Sequence, residues 1–441
     1  MHQQLQHLTQ SLDGNPALAR RNRFAPLLVA VHADDQCWTV RFGVDPIGVE
    51  TGCALAPTIE LRAPAVAWAA YGAAVPPVGY QSLNGMLRVG HLNVSGDMLA
   101  FGRHLMLIEA VFAAMRGPPQ PVLKPVPVGI PLIEAITGRY LNVDLAGRPH
   151  RIYFEESGPA DGIPLLCLHT AGSDGRQFRA VLNDREITQT YRVISFDLPW
   201  HGKSSPPPGF EMEIYRLTTA LYVDTVMTVV RALNLQKPVV MGCSIGGRAV
   251  LHLALAHGDH FRAAIGLQSG LTAHSGVNPA LRDLELIHRP DVHGGDAAAA
   301  SVACLMAPTS PSADRWETLW HYAQSGPGVF AGDLFYYMND GELSGQDVAA
   351  LRSGNCPLYL LTGEYDLSAT PASTAELAKL SGAHHFEVMP GLGHFPMSEA
   401  PDRFLTYLRP ILAKMSSAAD WADETAPAPG LHAVPSIRRA L

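Results

Sequence analysis

The 441-residue sequence contains few charged residues. Only 16% of the chain is Asp, Glu, Lys or Arg, and the formal net charge is −8. Lys and Arg form no run, whereas proteins that bind the phosphate backbone of nucleic acids carry a basic patch. We therefore expect no nucleic-acid partner. The 40 glycines and 35 prolines stay below the ~25–30% share that is typical of low-complexity chains, which predicts a globular protein with many turns.

Cysteines are few and scattered. The sequence has six of them and no Cys-x-x-Cys pair. In a chain of this size, that pattern indicates buried, reduced thiols rather than a disulfide framework. Residues 1–8 contain no positive start followed by an apolar stretch, so no secretory signal is expected. Together these features predict a cytoplasmic protein.

Long hydrophobic runs are also missing. The most apolar stretch near the amino terminus, residues 63–78, is interrupted by Pro64, Pro76 and Pro77. A helix that crosses a bilayer needs about 20 consecutive apolar residues. We therefore interpret this stretch as packed protein and expect no membrane span.

Closely spaced prolines divide the chain. Proline fixes φ and lacks a backbone N–H, so residues 118–130 are predicted to form a stiff, extended linker. This linker separates an N-terminal domain, residues 1–117, from a larger domain, residues 131–415. Residues 416–441 are small, acidic and Pro-rich without apolar periodicity, which predicts a flexible tail. At ~150 residues per domain, the length agrees with two or three domains.

The larger domain alternates short apolar runs with amphipathic helical patterns. This alternation predicts an α/β fold, a mostly parallel sheet covered by helices. The predicted elements are strands at 164–169, 192–197, 238–242, 263–268, 357–362 and 386–389, a preceding hairpin of 140–145 and 149–156, and helices at 218–234, 246–257 and 401–412. Residues 271–354 interrupt the pattern and are too many for an ordinary connection, so we expect a helical cap over the edge of the sheet.

The clearest motif is Gly-x-Ser-x-Gly at residues 242–246, between a predicted strand and a predicted helix. A serine in this context lies on a sharp turn, small residues on either side prevent backbone clashes, and its hydroxyl is presented at the carboxyl edge of the sheet. We therefore predict that Ser244 is a nucleophile. The N–H of Ile245, at the start of the helix, faces the same point and is a candidate oxyanion donor.

A nucleophilic serine needs a base, and the base needs an acid that orients it. Asp366 follows a predicted strand in a Gly-x-x-Asp turn, and His394 follows the next predicted strand in a Gly-containing loop. Both are therefore expected at the same sheet edge as Ser244, in the chain order Ser, Asp, His that this architecture requires. The N–H of Ala171, in the turn after strand 164–169, is predicted to complete the oxyanion hole.

Together these motifs resemble those of the α/β-hydrolase superfamily across residues 130–415. The matching segments are 169–172, 197–204, 242–246, 363–366 and 393–394. Members usually have His-Gly where this chain has His169-Thr170. The resemblance implies an eight-stranded, mostly parallel sheet, no cofactor, and a catalytic triad of Ser244, Asp366 and His394.

The predicted function is hydrolysis of a small-molecule carboxylic ester through an acyl-enzyme intermediate. The motifs do not separate this reaction from hydrolysis of carbon–carbon bonds, thioesters or lactones, and a non-catalytic ligand- or lipid-binding protein on the same scaffold is a further alternative. Aromatic residues are concentrated in the predicted cap, which indicates an apolar or aromatic substrate group. The candidate pocket residues are Trp316, Trp320, Phe335 and Tyr336. His288, Asp291 and His293 lack the i, i+4 spacing of helical metal ligands, so no metal site is predicted.

The first 117 residues are predicted to form a smaller α+β domain. Its predicted elements are strands at 38–42, 49–54, 58–62 and 87–97 and helices at 63–73 and 98–116. Residues 83–89, which contain Gly85-Met-Leu-Arg-Val89, and the Ser95-Gly-Asp97 turn resemble the sterol-carrier-protein lipid-transfer fold. The resemblance implies an apolar tunnel. Dimerisation and shielding of the active site are alternatives, and the sequence leaves open whether the protein is a homo-oligomer.

Overall fold

Two β-sheets organise the molecule. The computed structural model describes residues 1–117, 133–271 and 279–417. The N-terminal residues form a sheet of five strands, and residues 137–389 form a sheet of eight strands. The predicted linker at 118–130 lies outside the described residues, as does the predicted tail from residue 418 onward.

The N-terminal sheet is mixed. Its strands are β1 Leu28–Ala33, β2 Gln36–Arg41, β3 Gly48–Thr51, β4 Ile59–Ala63 and β5 Asn93–Gly96. They lie in the order β3-β2-β1-β4-β5, with β1 and β4 parallel and the other neighbours antiparallel. The helices of this region are α1 His2–Gln6, α2 Pro16–Asn22, α3 Ala65–Tyr71, α4 Leu83–Arg88 and α5 Met98–Phe112. The predicted smaller α+β region is therefore confirmed, with β1, α1 and α2 as elements that the sequence did not predict.

Helix α5 belongs to the N-terminal core. With a following 3₁₀ turn it forms a helical segment, Met98–Arg116, of mean hydropathy 1.5, the only helix in the described ranges that is long and apolar enough to cross a membrane. Phe101, Ile108 and Phe112 on this helix are fully buried, and Phe112 stacks on Trp68 of α3. These contacts are typical of a core helix whose apolar face packs on its own domain.

Of the residues that carried the sterol-carrier resemblance, Leu83–Arg88 form a helix rather than a strand, whereas Ser95 and Gly96 belong to β5. Helix α4 begins after Ser82, whose hydroxyl accepts the N–H of Gly85 at 2.8 Å. Such a cap satisfies a backbone donor of the first helical turn, and Leu83 and Met86, three residues apart, are both buried. The predicted strand 87–97 is therefore wrong for residues 87–88 and confirmed for residues 93–96, and the resemblance is not confirmed.

Cys37 and Cys53 are joined by a disulfide bond, with their Cα atoms 5.5 Å apart. Antiparallel pairing of β2 with β3 brings them together, since Trp38 lies opposite Thr51. The prediction of reduced thiols is wrong for this pair, because the sequence does not reveal which strands are neighbours. Because disulfide bonds are rare in cytosolic proteins, the cysteines do not support a cytoplasmic location. The free cysteines, all buried as predicted, are Cys167, Cys243, Cys304 and Cys356.

The eight-stranded sheet confirms the predicted α/β fold. Its strands are β6 Thr137–Leu145, β7 Arg148–Ser157, β8 Ile163–Leu168, β9 Tyr191–Phe196, β10 Val239–Cys243, β11 Ala263–Leu267, β12 Leu358–Gly363 and β13 His385–Met389. They lie in the order β13-β12-β11-β10-β8-β9-β7-β6. Strands β8 to β13 run parallel to one another, whereas the hairpin β6–β7 is antiparallel and joins the sheet through β9. Each strand predicted in this domain has a counterpart at the expected place.

The residues from 133 onward also form helices, some on the two faces of this sheet and some in the segment between β11 and β12. They are α6 Arg179–Leu182, α7 Thr219–Ala232, α8 Ile245–His257, α9 Pro279–Arg282, α10 Gly294–Ala303, α11 Ser312–Ala323, α12 Val329–Phe335, α13 Gly345–Ser353, α14 Pro371–Ser381, α15 Pro396–Glu399 and α16 Pro401–Ser416. Successive strand residues point to opposite faces. Leu166 and Val240 therefore pack in the same core as α7 and α8, whereas Leu165 and Val239 pack in the core that contains α16.

Residues 279–354, which carry α9 to α13 between β11 and β12, are called the insertion below. The insertion contacts both parts of the molecule. Leu281 and Ala300 are buried in the N-terminal core, and the carbonyl of Leu305 accepts the N–H of His394 at 2.9 Å. The insertion therefore packs against the N-terminal region as well as the loops at the carboxyl edge of the eight-stranded sheet.

Candidate active site

Ser244 occupies the turn between β10 and α8. Its backbone has φ 59° and ψ −114°, a conformation that costs a residue with a Cβ about 1–3 kcal/mol. The turn depends on the flanking glycines. A Cβ at Gly242 would collide with the backbone of Gly246, and a Cβ at Gly246 would collide with the backbone of Leu168. These close approaches explain the Gly-x-Ser-x-Gly pattern.

Asp366 and His394 are in direct contact. Asp366 lies in the turn after β12 and His394 in the loop after β13, and Oδ2 of Asp366 is 2.8 Å from Nδ1 of His394. The other carboxylate oxygen accepts the N–H groups of Ser368 and Ala369 at 2.7 and 3.2 Å. Because an ionised carboxylate only accepts, Nδ1 of the imidazole carries the proton and Nε2 is the basic nitrogen.

Cys243 and Gln268 hold the histidine loop beside the serine turn. The thiol of Cys243 donates to the carbonyl of His394 at 3.2 Å, and burial raises the pKa of this thiol, which keeps it protonated. The amide of Gln268 donates to the carbonyl of Gly393 at 2.9 Å and accepts the N–H of the last residue of β12 at 2.9 Å. The structure thus brings the serine, the aspartate and the histidine predicted as a triad to one edge of the sheet.

The two predicted oxyanion donors are the N–H groups of Ile245, the first residue of α8, and of Ala171, in the turn after β8. Neither donates to another protein group among the residues that the structure describes. The turn of Ala171 is fixed on both sides. The N–H of the preceding residue donates to Gln177 at 3.0 Å, and the N–H of Gly172 donates to Asp333 at 2.7 Å. Both predicted donors are therefore available to an anion.

Asp333 connects the insertion to this turn, and no sequence pattern marks it. Its carboxylate is fully buried, accepts the hydroxyl of Tyr215 at 2.8 Å and lies 2.7 Å from Nε2 of His201. Burial alone would lower the pKa of His201, but the neighbouring carboxylate of Asp333 raises it above its usual value. The charged imidazole is therefore favoured, and it compensates the buried carboxylate.

The four predicted pocket residues lie in different environments. Trp316 and Trp320, on α11, are 56% and 59% exposed. Phe335 is partly buried. Tyr336 is fully buried and packs edge-on against Tyr222, with ring centroids 5.4 Å apart. These positions add no support to the pocket prediction.

Two other tyrosines of the insertion lie at the site. The hydroxyl of Tyr322 is 2.5 Å from Oγ1 of Thr170, in the turn after β8. The hydroxyl of Tyr337 is buried and has the hydroxyls of Ser244 and Ser368 as polar neighbours, yet it forms no hydrogen bond with any described residue. Buried polar groups without a partner are uncommon in folded proteins. The Tyr337 hydroxyl is therefore free to bind a further polar atom.

In the described part of the chain, one group of side chains has the types and the spacing that metal ions require. His32, Cys37 and Cys53 each offer a ligand atom, and these atoms lie within 4.8 Å of one another. The two sulfur atoms are bonded to each other, so neither is available as the thiolate that binds a metal. Asp291, considered above as a ligand, instead pairs with Arg103.

An eight-stranded, mostly parallel sheet covered by helices defines an α/β protein, a class in which ligands generally bind at the carboxyl edge of the sheet. The comparison with known families is more specific. The chain belongs to the alpha/beta hydrolase family, whose family model matches residues 165–406, more than half of the sequence.

Curated relatives match shorter segments. The chain is 32% identical over 123 residues to the magnesium-chelatase 30 kDa subunit of Rhodobacter capsulatus, covering 25% of this chain and 41% of that protein. It is 31% identical over 127 residues to the 2-hydroxy-6-oxononadienedioate/2-hydroxy-6-oxononatrienedioate hydrolase of Escherichia coli K12, covering 28% of this chain and 42% of that protein. The matched segments thus span less than half the length of these relatives.

Solved structures share the fold of the larger part. A thermophilic esterase from Thermogutta terrifontis has a TM-score of 0.53 and 20% identity, covering 63% of this chain and all of that chain. An esterase from Rhodococcus sp. ECU1013 has a TM-score of 0.50 and 21% identity, covering 64% of this chain and 99% of that chain. At this level of identity the likeness is one of fold.

Proposed function

We propose that the protein is a serine hydrolase that cleaves carboxylic esters of small molecules. The observation that carries the proposal is the arrangement at the carboxyl edge of the sheet. There, Ser244 lies on a strained strand-to-helix turn, and a histidine–aspartate pair with a 2.8 Å contact comes from the loops after β12 and β13. Membership of the alpha/beta hydrolase family supports it.

In the proposed reaction, Oγ of Ser244 attacks the carbonyl carbon of the ester while Nε2 of His394 takes its proton. Asp366 orients the imidazole and stabilises the positive charge that develops on it. The negative oxygen of the tetrahedral intermediate accepts the N–H groups of Ile245 and Ala171. The alcohol leaves with the proton from the imidazole, and water then releases the acid from the acyl-enzyme by the same steps.

The insertion acts as a cap in this proposal and selects the substrate. Ser244 and His394 are only 5% and 3% exposed, so a substrate must reach them past the side chains of the insertion. Tyr322 and Tyr337 bring aromatic surface to the two sides of the site. This favours an apolar or aromatic group next to the scissile carbonyl, together with a polar atom that accepts the hydroxyl of Tyr337.

The proposal is tested with Ser244→Ala. We expect this variant to lose turnover of short p-nitrophenyl esters and labelling by a fluorophosphonate probe. Ser157→Ala is a matched control, because Ser157 is equally buried at 5% exposure but lies on β7. Wild-type turnover in Ser244→Ala would refute the proposal. A wild-type protein that resists labelling and retains lipid through purification would favour the non-catalytic binding alternative.

A second candidate is hydrolysis of an anionic 2-hydroxy-6-oxo dioate, because the Escherichia coli relatives carry that substrate in their name. Arg248 favours this candidate. It lies one turn after Ser244, is fully buried, and donates to the carbonyls of Gly341 and Gly270 at 2.8 and 3.1 Å. No carboxylate pairs with it among the described residues, so an anionic substrate would compensate its charge.

The two candidates differ in their substrates. A panel of p-nitrophenyl esters, a dienedioate, a thioester and a lactone separates them by kcat/KM. If the dienedioate is the substrate, Arg248→Met should lower turnover of the dienedioate far more than turnover of the neutral ester. Equal losses on both would point to a structural role of the guanidinium.

A further inference from the structure

The N-terminal region contacts the loop that carries Asp366, the aspartate of the proposed triad. We call residues 364–369, after β12, the acid loop, and residues 76–85 the clamp loop. The side-chain amide of Gln81 donates to the backbone carbonyl of Tyr365 at 3.3 Å. The hydroxyl of Tyr365 in turn donates to the carbonyl of Pro76 at 3.1 Å. Two hydrogen bonds thus join the loops immediately before the catalytic aspartate.

The amide of Gln81 also holds the insertion. Its Nε2 donates to the carbonyl of Cys304, at the end of α10, at 3.0 Å. Its Oε1 accepts the N–H of Gly79 at 2.7 Å, and the side chain is buried. A single glutamine therefore fixes the acid loop, the insertion and the clamp loop relative to one another.

The clamp loop is itself anchored to α5 and its 3₁₀ extension. Arg116 donates to the carbonyls of Gln81 and Tyr71, each at 2.9 Å, and its guanidinium lies 4.4 Å from the centroid of the Tyr71 ring. The carboxylate of Glu109 accepts the N–H of Asn84 at 2.6 Å. The surface that meets the acid loop is therefore anchored in the N-terminal region, and the insertion supports it through the carbonyls of Cys304 and Ser301.

Two ion pairs between the N-terminal region and the insertion are exposed, unlike the buried hydrogen bonds of Gln81. Arg21 pairs with Asp296 at 3.3 Å and Arg103 pairs with Asp291, and all four side chains are more than one third exposed. Exposed ion pairs of this type contribute little to stability. By contrast, loss of the buried amide of Gln81 would remove the hydrogen bonds that the carbonyls of Cys304 and Tyr365 accept from it, which is unfavourable for buried groups.

We propose that Gln81 is a positioning residue for the reaction and that the N-terminal region completes the active site. By fixing the carbonyl of Tyr365, Gln81 holds the acid loop in the position in which Asp366 meets His394, and it does not itself touch the substrate. Rates depend steeply on such alignment, since a shift of about 1 Å can cost ~100-fold. The inference rests on the proposed function, and it gives the N-terminal region a role in catalysis.

The test compares Gln81→Leu with Arg103→Ala. Each variant loses a contact across the same boundary, but only Gln81→Leu releases the acid loop. We expect kcat for a p-nitrophenyl ester to fall about tenfold in Gln81→Leu with KM changed by less than about twofold. Arg103→Ala should retain the wild-type kcat and KM. A wild-type kcat in both variants would overturn the inference.

A double-mutant cycle with Asp366→Asn separates positioning from a general loss of stability. If Gln81 acts through Asp366, Gln81→Leu should cause no further loss of kcat once the aspartate has been replaced. An undiminished loss in that background would overturn the inference, because it would show that Gln81 acts elsewhere. Urea unfolding of each variant measures the change in stability separately from the change in kcat.

Tyr365→Phe serves as a second variant if Gln81→Leu does not fold. It removes only the hydroxyl that bonds to Pro76, and we expect a several-fold lower kcat with little change in KM. A wild-type kcat in Tyr365→Phe would then overturn the inference. The proposed function fails in a different way, by wild-type turnover in Ser244→Ala or Asp366→Asn, whatever the result for Gln81.

Discussion

The carboxylate of Asp333 lies 2.7 Å from the backbone nitrogen of Gly172, although the two residues are 161 positions apart in the sequence. Asp333 belongs to the insertion, and Gly172 follows the proposed oxyanion donor Ala171. A movement of the insertion is therefore transmitted directly to the turn on which the negative charge of the intermediate is expected to bind.

Asp333→Asn should lower both stability and turnover. The amide keeps the shape of the carboxylate but loses the charge that pairs with His201, and breaking a buried pair costs about 3–5 kcal/mol. Because the N–H of Gly172 is then held less firmly, we expect kcat to fall more than KM changes. Urea unfolding and steady-state kinetics measure the two effects. Asp347→Asn is the control. Asp347 is a partly buried carboxylate in the first turn of α13, and its replacement should cost about 0.3–1 kcal/mol and leave kcat unchanged. The same kinetics in both variants would contradict the prediction.

Tyr337→Phe should lower activity without lowering stability. The hydroxyl of Tyr337 is buried without a hydrogen bond to any described residue, so its removal relieves a desolvation cost of about 1–3 kcal/mol. We expect kcat/KM to fall by about tenfold for a substrate whose polar atom accepts this hydroxyl. Tyr336→Phe is the matched control, since its hydroxyl is also buried and unpartnered but its ring packs against Tyr222. If both variants had the same kcat/KM, the hydroxyl of Tyr337 would have no specific role in binding the substrate.

Glu399 should make stability depend on pH near neutrality. Its carboxylate accepts the N–H of Gly393, beside the proposed catalytic base, and burial raises its pKa from 4.5 to about 7. The folded protein therefore binds the proton more tightly than the unfolded chain. This contribution to the free energy of unfolding is full below pH about 4.5 and is lost as the pH rises through about 7, a difference of up to about 3 kcal/mol.

In Glu399→Gln this contribution is absent. The difference in unfolding free energy between wild type and variant should therefore change between pH 5 and pH 8, as measured by urea unfolding at several pH values. Asp197, whose pKa burial likewise raises to about 7, is present in both proteins, so its contribution cancels in the comparison. Parallel curves for the two proteins would show that Glu399 does not titrate in this range.

The disulfide bond should stabilise the N-terminal region. Cys37 and Cys53 are 16 positions apart, and a bond that closes a loop of this length contributes about 3 kcal/mol by restricting the unfolded chain. We expect a reducing agent to lower the unfolding temperature of the wild type. The variant with both Cys37→Ser and Cys53→Ser should unfold at the lower temperature with or without reductant. If the reducing agent lowered the unfolding temperature equally in the wild type and in the double variant, the effect would not come from the bond between Cys37 and Cys53.

The eight-stranded sheet could be predicted because its determinants are local. Buried parallel strands are continuous apolar runs, and each run lies within a few residues of the observed strand. The two glycines of the Gly-x-Ser-x-Gly motif are required because the backbone near Gly242 and Gly246 leaves no space for a Cβ. Asp366 and His394 each follow a predicted parallel strand. Because the carboxyl ends of parallel strands meet at one edge of the sheet, both residues could be placed at the edge that carries Ser244.

The residues that hold the site together could not be predicted in this way. Gln81, Gln268 and Asp333 bond to groups 284, 125 and 161 positions away. In each of these three bonds the partner is a backbone group, which every residue has, so no side-chain pattern points to it. The short helix α4 was misassigned for a related reason, because six residues give too few turns for a helical period to be distinguished from a strand.

The bond between Gln81 and Tyr365 also bears on how the protein is made. Tyr365 is synthesised 284 residues after Gln81, which at about 5–20 residues per second corresponds to roughly 15–60 s. All five strands of the N-terminal sheet end by Gly96, but Leu281 and Ala300 of the insertion belong to the same core, so its packing is complete only after the insertion has been translated. The acid loop then docks on a surface that already exists. A delay in folding the N-terminal region would therefore postpone activity even when the eight-stranded sheet is complete.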